Sequence, residues 1–152
     1  DIVGRPHIAA ALLRLGVVKT RAEAFARFLG RDGAAYVPRK LLSPLEGLRL
    51  LRSLNAVTAL AHPLLLRAPL NWLGQCVGEL AAAGLDALEA YHPEHSAANV
   101  RQAVDLAAAN GLLLCGGSDY HGKSKSNIAM GSGKGGLRVP VSLLDKLKER
   151  RA

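Results

Sequence analysis

Three short apolar runs recur along this chain, and each ends in polar residues before a segment of helical length begins. Ala56–Ala61 ends in His62-Pro63, Asp86–Tyr91 ends in His92-Pro93, and Leu112–Cys115 runs into Gly116-Gly117-Ser118-Asp119-Tyr120-His121-Gly122. Between the runs lie a helical stretch from about Leu70 to Ala83, closed by Gly84, and one capped by Ser96 that reaches about Asn110 and is closed by Gly111. Short strands that alternate with helices of this length must run parallel, because each helix carries the chain back to start the next strand from the same end. The pattern therefore predicts an α/β fold with a parallel sheet. It also predicts that His62, then Glu89 and His92, then Asp119 and His121 arrive at one rim, the C-terminal edge of the strands, where α/β folds place their sites.

The residue types on that rim suit a divalent cation. Asp119 and His121 are two apart, so an extended segment turns both to the same side. A hard oxygen donor beside an imidazole nitrogen suits Mn²⁺, Fe²⁺ or Zn²⁺. His62 joins them as a candidate ligand by its place in the series. Glu89, set between Leu88 and Ala90, must be paired, metal-bound or turned to solvent on an edge strand. His92 and His95, in Tyr91-His92-Pro93-Glu94-His95, are contacts to metal or substrate, or loop histidines. Lys123 and Lys125 can attract phosphate, and for Lys125 a surface position is the stronger reading. Gly131-Ser132-Gly133-Lys134-Gly135-Gly136 is not a P-loop, since no Ser or Thr follows the lysine and no long helix follows at once; it reads as a flexible loop.

The first part of the chain has no strand pattern. Gly4-Arg5-Pro6-His7 opens a helix to about Leu15, with Pro6 in the first turn. Arg5 and His7 then sit at a helix start that favours an anion, as a phosphate contact or a metal ligand; on local sequence alone, a histidine at an ordinary helix start is the stronger reading of His7. Thr20-Arg21-Ala22-Glu23 and Ser43-Pro44-Leu45-Glu46 read as capping boxes. Residues 4–38 form a small helical insertion or lid, and 39–152 carry the strand–helix units. Leu137–Val139 reads as a short strand, and Val141–Arg151 as a basic final helix capped by Ser142.

Composition narrows the partners. The 20 Lys and Arg against 12 Asp and Glu leave a net charge of +8, which favours phosphates, nucleotides or nucleic acid. With 49% apolar and 4% aromatic residues, the chain is globular rather than disordered or fibrous. No apolar run is long enough to span a bilayer and no signal peptide is visible, so the expected location is the cytoplasm. Cys76 and Cys115 form no redox or metal motif and read as buried thiols.

Taken together, Gly4-Arg5-Pro6-His7-Ile8-Ala9, Ala61-His62-Pro63, Leu88-Glu89-Ala90-Tyr91 and Gly117-Ser118-Asp119-Tyr120-His121-Gly122 resemble the polymerase-and-histidinol-phosphatase (PHP) family of metal-dependent phosphoesterases. The branch is the one that acts on 3′,5′-nucleoside bisphosphates or trims RNA from its 5′ end. The resemblance implies a distorted (β/α)₇ barrel with two or three divalent cations. It implies that His62, Asp119 and His121 are metal ligands, that Arg5 and His7 face substrate phosphate, and that His95 is a candidate substrate contact; Lys123, beside Asp119 and His121, joins Arg5 and His7 as a phosphate-binding candidate by its charge. The family's opening His-x-His motif has no counterpart here, so the chain is expected to be the C-terminal part of such a barrel. Its open edges then predict self-association or pairing with the missing N-terminal half. Two other readings stand beside phosphoester hydrolysis: a non-catalytic fragment that binds nucleotide or RNA through its basic surface, and another barrel hydrolase such as an amidohydrolase.

Overall fold

The computed structural model describes residues 3–38, 41–125 and 127–150, with the side chains of Lys123 and Ser124 left aside. The chain divides into two compact units, Asp1–Leu41 and Leu42–Ala152.

The first unit is helical. Helix α1, Arg5–Arg14, starts from Gly4, whose N–H donates to His7 Nδ1 at 2.9 Å. Helix α2, Arg21–Ala24, continues as one wider π turn, Phe25–Leu29. Thr20 caps α2 by accepting from the Glu23 N–H, and the Glu23 carboxylate takes its strongest backbone hydrogen bond from the Lys19 N–H at 2.8 Å. Glu23 also pairs with Arg27 one turn on. Ala9, Val18, Ala24 and Leu29 form the small core.

The second unit is built on a parallel sheet of three strands: β1 (Ala59–Leu60), β2 (Ala87–Tyr91) and β3 (Leu113–Gly116), in that spatial order. Helix α3, Pro44–Ser53, precedes it with the reciprocal Ser43/Glu46 box in place. Helices α4 (Leu70–Ala82) and α5 (Ala97–Ala109) are the crossovers, and Ser96 caps α5 through the Asn99 N–H. Leu88 and Ala90, alternate residues of the central strand, face the helices with Leu73 and Val77 of α4 and Ala103 and Ala107 of α5. Glu89 therefore lies on the opposite face of the middle strand. The edge-strand position that would let it turn to solvent does not exist here.

Strand β2 carries a bulge that matters for the site. Glu89 pairs with Cys115 and Tyr91 with Gly116, so Ala90 is the extra residue. Gly116 is required at this crossing, because a Cβ there would lie 2.5 Å from Tyr91 Cβ and 2.6 Å from the Tyr91 carbonyl oxygen. Gly116→Ala is expected to destabilise the unit by about 1–3 kcal/mol through overpacking against backbone, which urea unfolding would read.

Two local expectations differ from the structure. Leu137–Val139 forms no strand; the Leu137 N–H turns back to the Ser132 carbonyl, and Pro140 has no N–H for a ladder. Helix α6, Ser142–Glu149, starts from Val141, not from a Ser142 cap. The described residues of 121–136 form turns, with a 3₁₀ turn at Gly122–Lys125 and an antiparallel bridge between Ala129 and Gly133.

Candidate metal centre

The C-terminal ends of the three parallel strands bring His62, Glu89, His92 and Asp119 together. His62 follows β1 in a left-handed conformation, φ 32°, and so does Asp119 after β3, φ 51°. Only four described non-glycine residues have positive φ, and two of them are these predicted ligands. A β-carbon makes that conformation costly, and such residues cluster where geometry serves a site. Glu89 accounts for the turn at His62: its Oε2 accepts the His62 N–H at 2.7 Å. A carboxylate on β2 thus anchors the end of β1. Burial, with Glu89 nearby, pushes the Cys115 thiol on β3 up to about 11. At pH 8 only about a thousandth of it is thiolate. Iodoacetamide at that pH is expected to spare Cys115, as peptide mass spectrometry would show.

Asp119 is the electrostatic centre. Its Oδ2 accepts from the Lys125 ammonium, which holds the carboxyl below its usual range and raises the lysine in return. Lys125, expected at the surface, keeps a side chain 43% exposed and pairs with Asp119 from there. His92 Nε2 stands 3.7 Å from Asp119 Oδ2, and the His121 ring 3.6 Å from Oδ1. His92 is buried, and that burial lowers its basicity more than Glu89 and Asp119 restore it. The ring lies 5.1 Å from that of His62 and 5.4 Å from that of His95, centre to centre.

Backbone partners assign the imidazole tautomers. A carbonyl only accepts, so His121 Nδ1–H donates to the Asp119 carbonyl at 2.7 Å and its Nε2 is the lone-pair side. An imidazole whose other nitrogen is tied to a carbonyl is the usual metal-binding arrangement. His95 is alike: its Nδ1–H donates to the carbonyl of the bulged Ala90 at 2.8 Å. His92 is the reverse, because its Nδ1 accepts the Glu94 N–H at 3.1 Å; a neutral ring then carries its proton on Nε2, facing Asp119. His7 also accepts through Nδ1, so its neutral ring offers an Nε2–H donor. That suits a phosphate oxygen and not a metal. Arg5 donates to the Leu29 carbonyl at 3.2 Å and lies with His7 in the first unit. The Lys123 side chain lies outside the described residues.

The donor types fit a divalent cation in part. Asp119 and His121 offer a charged oxygen and a correctly tautomerised nitrogen, and His62 stands at the same rim. The buried Nε2 atoms of His92 and His95 have no hydrogen-bond partner among the described residues. Yet among the described residues no group of three His, Cys, Asp or Glu is placed to hold a metal ion. Glu89 and His92 are the residues that sequence reasoning undervalued. The available signal was a lone carboxylate in an apolar strand.

No family model matches the chain. The 5′-3′ exoribonuclease Rnm of Escherichia coli strain K12 is 28% identical over 119 residues, 78% of this chain and 41% of that protein. The phosphoribosyl 1,2-cyclic phosphate 1,2-diphosphodiesterase of Eggerthella lenta is 42% identical over 45 residues, 30% of this chain and 17% of that one. Among solved structures, a candidate metal-dependent phosphoesterase from Bifidobacterium adolescentis superimposes with a TM-score of 0.74 at 30% identity, covering 97% of this chain and 50% of that chain. The chain thus spans about half or less of the length of the proteins it matches.

Proposed function

Because this chain is a relative of the PHP-type phosphoesterases and 5′-3′ exoribonucleases, we propose that it carries one side of a metal-dependent phosphoesterase centre acting on nucleotide phosphoesters, a 3′,5′-nucleoside bisphosphate or short RNA. The observation that carries this is the convergence of His62, Glu89, His92 and Asp119 at the ends of three parallel strands, with left-handed backbone at His62 and Asp119. In the proposal the sheet belongs to a distorted (β/α)₇ barrel, and the ligands this chain does not supply come from the rest of a longer protein. His62, Asp119 and His121 hold Mn²⁺, Fe²⁺ or Zn²⁺, which when bound supplies Lewis-acid polarisation of the phosphoryl group and an activated water.

The chain's own groups have separate tasks. Glu89 keeps the His62 turn closed. His92 stands beside Asp119, its Nε2 3.7 Å from Oδ2 and beyond direct hydrogen-bond reach. Lys125 neutralises Asp119, and Arg5, His7 and Lys123 balance phosphate charge. No helix among the described residues is long and apolar enough to cross a membrane, and a cytoplasmic location is part of the proposal.

The test is phosphate release from a 3′,5′-nucleoside bisphosphate and from 5′-phosphorylated RNA, with Mn²⁺ and with EDTA. It is run on this chain alone and on a protein of the relatives' full length that contains it. Mn²⁺-dependent release by the longer protein, lost in His62→Ala, supports the reading. Release that survives both EDTA and His62→Ala overturns it. Salt-sensitive RNA binding with no hydrolysis by either protein would favour a binding module instead.

A further inference from the structure

The glycine-rich segment after β3 has no task in the proposed hydrolysis, yet it is tied down at defined points. Ala129 and Gly133 exchange two backbone hydrogen bonds, of 2.8 and 2.9 Å, which close residues 129–133 into one turn. Two residues of that turn reach the two loops that carry the candidate site. The Gly131 N–H donates to Ser118 Oγ at 3.1 Å, and Ser118 immediately precedes Asp119. Gly133 is buried against Pro93, which immediately follows His92. That contact is so close that a Cβ on Gly133 would lie 2.7 Å from Pro93 Cβ and 3.2 Å from its Cγ.

The sheet does not set the spacing of those loops. The ladder between β2 and β3 ends where the Gly117 N–H donates to the Tyr91 carbonyl. Beyond it, no backbone hydrogen bond among the described residues joins 92–95 to 118–121. His92 Nε2 and Asp119 Oδ2 stand 3.7 Å apart past that point, too far for a hydrogen bond to fix them. The closed turn touches both loops, and its own hydrogen bonds keep the two contacts at a constant separation. A contact as tight as that of Gly133 on Pro93 has no slack, so it passes a displacement on instead of absorbing it.

Resting on the reading of this rim as a metal centre, we propose that the turn 129–133 is a positioning element, a spacer between the β2 and β3 loops that sets how His92 stands to Asp119. Gly133 is its key positioning residue, and it must be glycine for two separable reasons. Its φ of 60° disfavours any side chain, and Pro93 leaves a side chain no room. Gly135, at φ 100°, shares the first reason only, because nothing lies within 4 Å of its Cβ position.

The experiment reads the His92 ring nitrogens in long-range proton–nitrogen spectra of the chain in EDTA. Gly133→Ala is expected to shift them, although the added methyl meets Pro93 and Leu137 first. Gly135→Ala carries the backbone strain without the contact and should leave them in place. In a Pro93→Gly background, where the obstructing ring is gone, adding Gly133→Ala should no longer shift them. Ser118→Ala cuts the other contact without adding an atom; it should shift the same signals, and it guards against a Gly133 variant that fails to fold. In a longer protein that contains the chain, Mn²⁺ affinity should fall about ten-fold with Gly133→Ala and hold with Gly135→Ala. His92 signals indifferent to both Gly133→Ala and Ser118→Ala overturn the proposal. So does a Gly135→Ala shift as large as that of Gly133→Ala, a Gly133→Ala shift that persists on Pro93→Gly, or Mn²⁺ binding that Gly133→Ala leaves unchanged. Because the spectra need no metal, the outcomes separate. The expected shifts, with a longer protein that neither binds Mn²⁺ nor releases phosphate, defeat the metal-centre reading alone. Phosphate release with indifferent His92 signals defeats only this inference.

Discussion

In a longer protein that contains this chain, and on the proposed phosphoesterase reading, Asp119→Asn is expected to lower Mn²⁺-dependent phosphate release by at least about a hundred-fold and to weaken metal binding measured by calorimetry. The substitution is chosen for its backbone. Asp119 sits at φ 51°, a conformation that Asn tolerates nearly as well as Asp and that Ala does not. The fold should therefore survive while the charge goes. What is removed is the one carboxylate that Lys125, His92 and His121 all face. The Lys125 pair is partly exposed and contributes little to stability, so thermal unfolding should hardly move. A variant with unchanged release would remove Asp119 from the centre and the present assignment with it.

Leu88→Ala should have the largest effect on stability. Leu88 is fully buried in the central strand, packed with Leu64, Leu73, Val77, Ala103 and Ala107. Truncation of such a leucine costs about 3–5 kcal/mol, from lost burial and from the cavity that remains. A domain of ordinary stability has about 5–15 kcal/mol in total, so the urea midpoint should fall by a large fraction of its value. Leu144→Ala on α6, where the side chain is half exposed, is the matched control and should change little. A similar midpoint for the two variants would mean that the sheet does not organise the unit. Because Glu89 follows Leu88, and holds the His62 N–H, loss of this packing should also loosen the candidate site.

Much of the strand–helix alternation was legible because its determinants are local. Ser43 and Ser96 accept from backbone N–H groups three residues ahead, and the glycines after α4 and α5 have the positive φ that a helix end demands. Locality also explains a failure. Leu137–Val139 has strand-like residues, but no neighbouring strand takes its hydrogen bonds.

The candidate site divides along the same line. His62, Asp119 and His121 could be named from residue type and from their positions after apolar runs. The role of Glu89 could not, because its partner is a backbone N–H on another strand, 27 residues earlier. Nor could the pairing of Lys125 with Asp119, since a lysine in a glycine-rich loop has no sequence signal that distinguishes it from a solvated one.

By itself, the sequence determined the parallel α/β order, the rim to which the polar residues are delivered, and the donor types found there. These follow from hydrophobic periodicity, capping and chain direction, which act over a few residues. Only the tertiary structure decided that Glu89 faces away from the helices on the central strand and holds the His62 N–H, and that Ala90 is the residue bulged out between β2 and β3. Those outcomes depend on backbone groups brought together by strand pairing, and no pattern within a single segment encodes the partner that lies across the sheet.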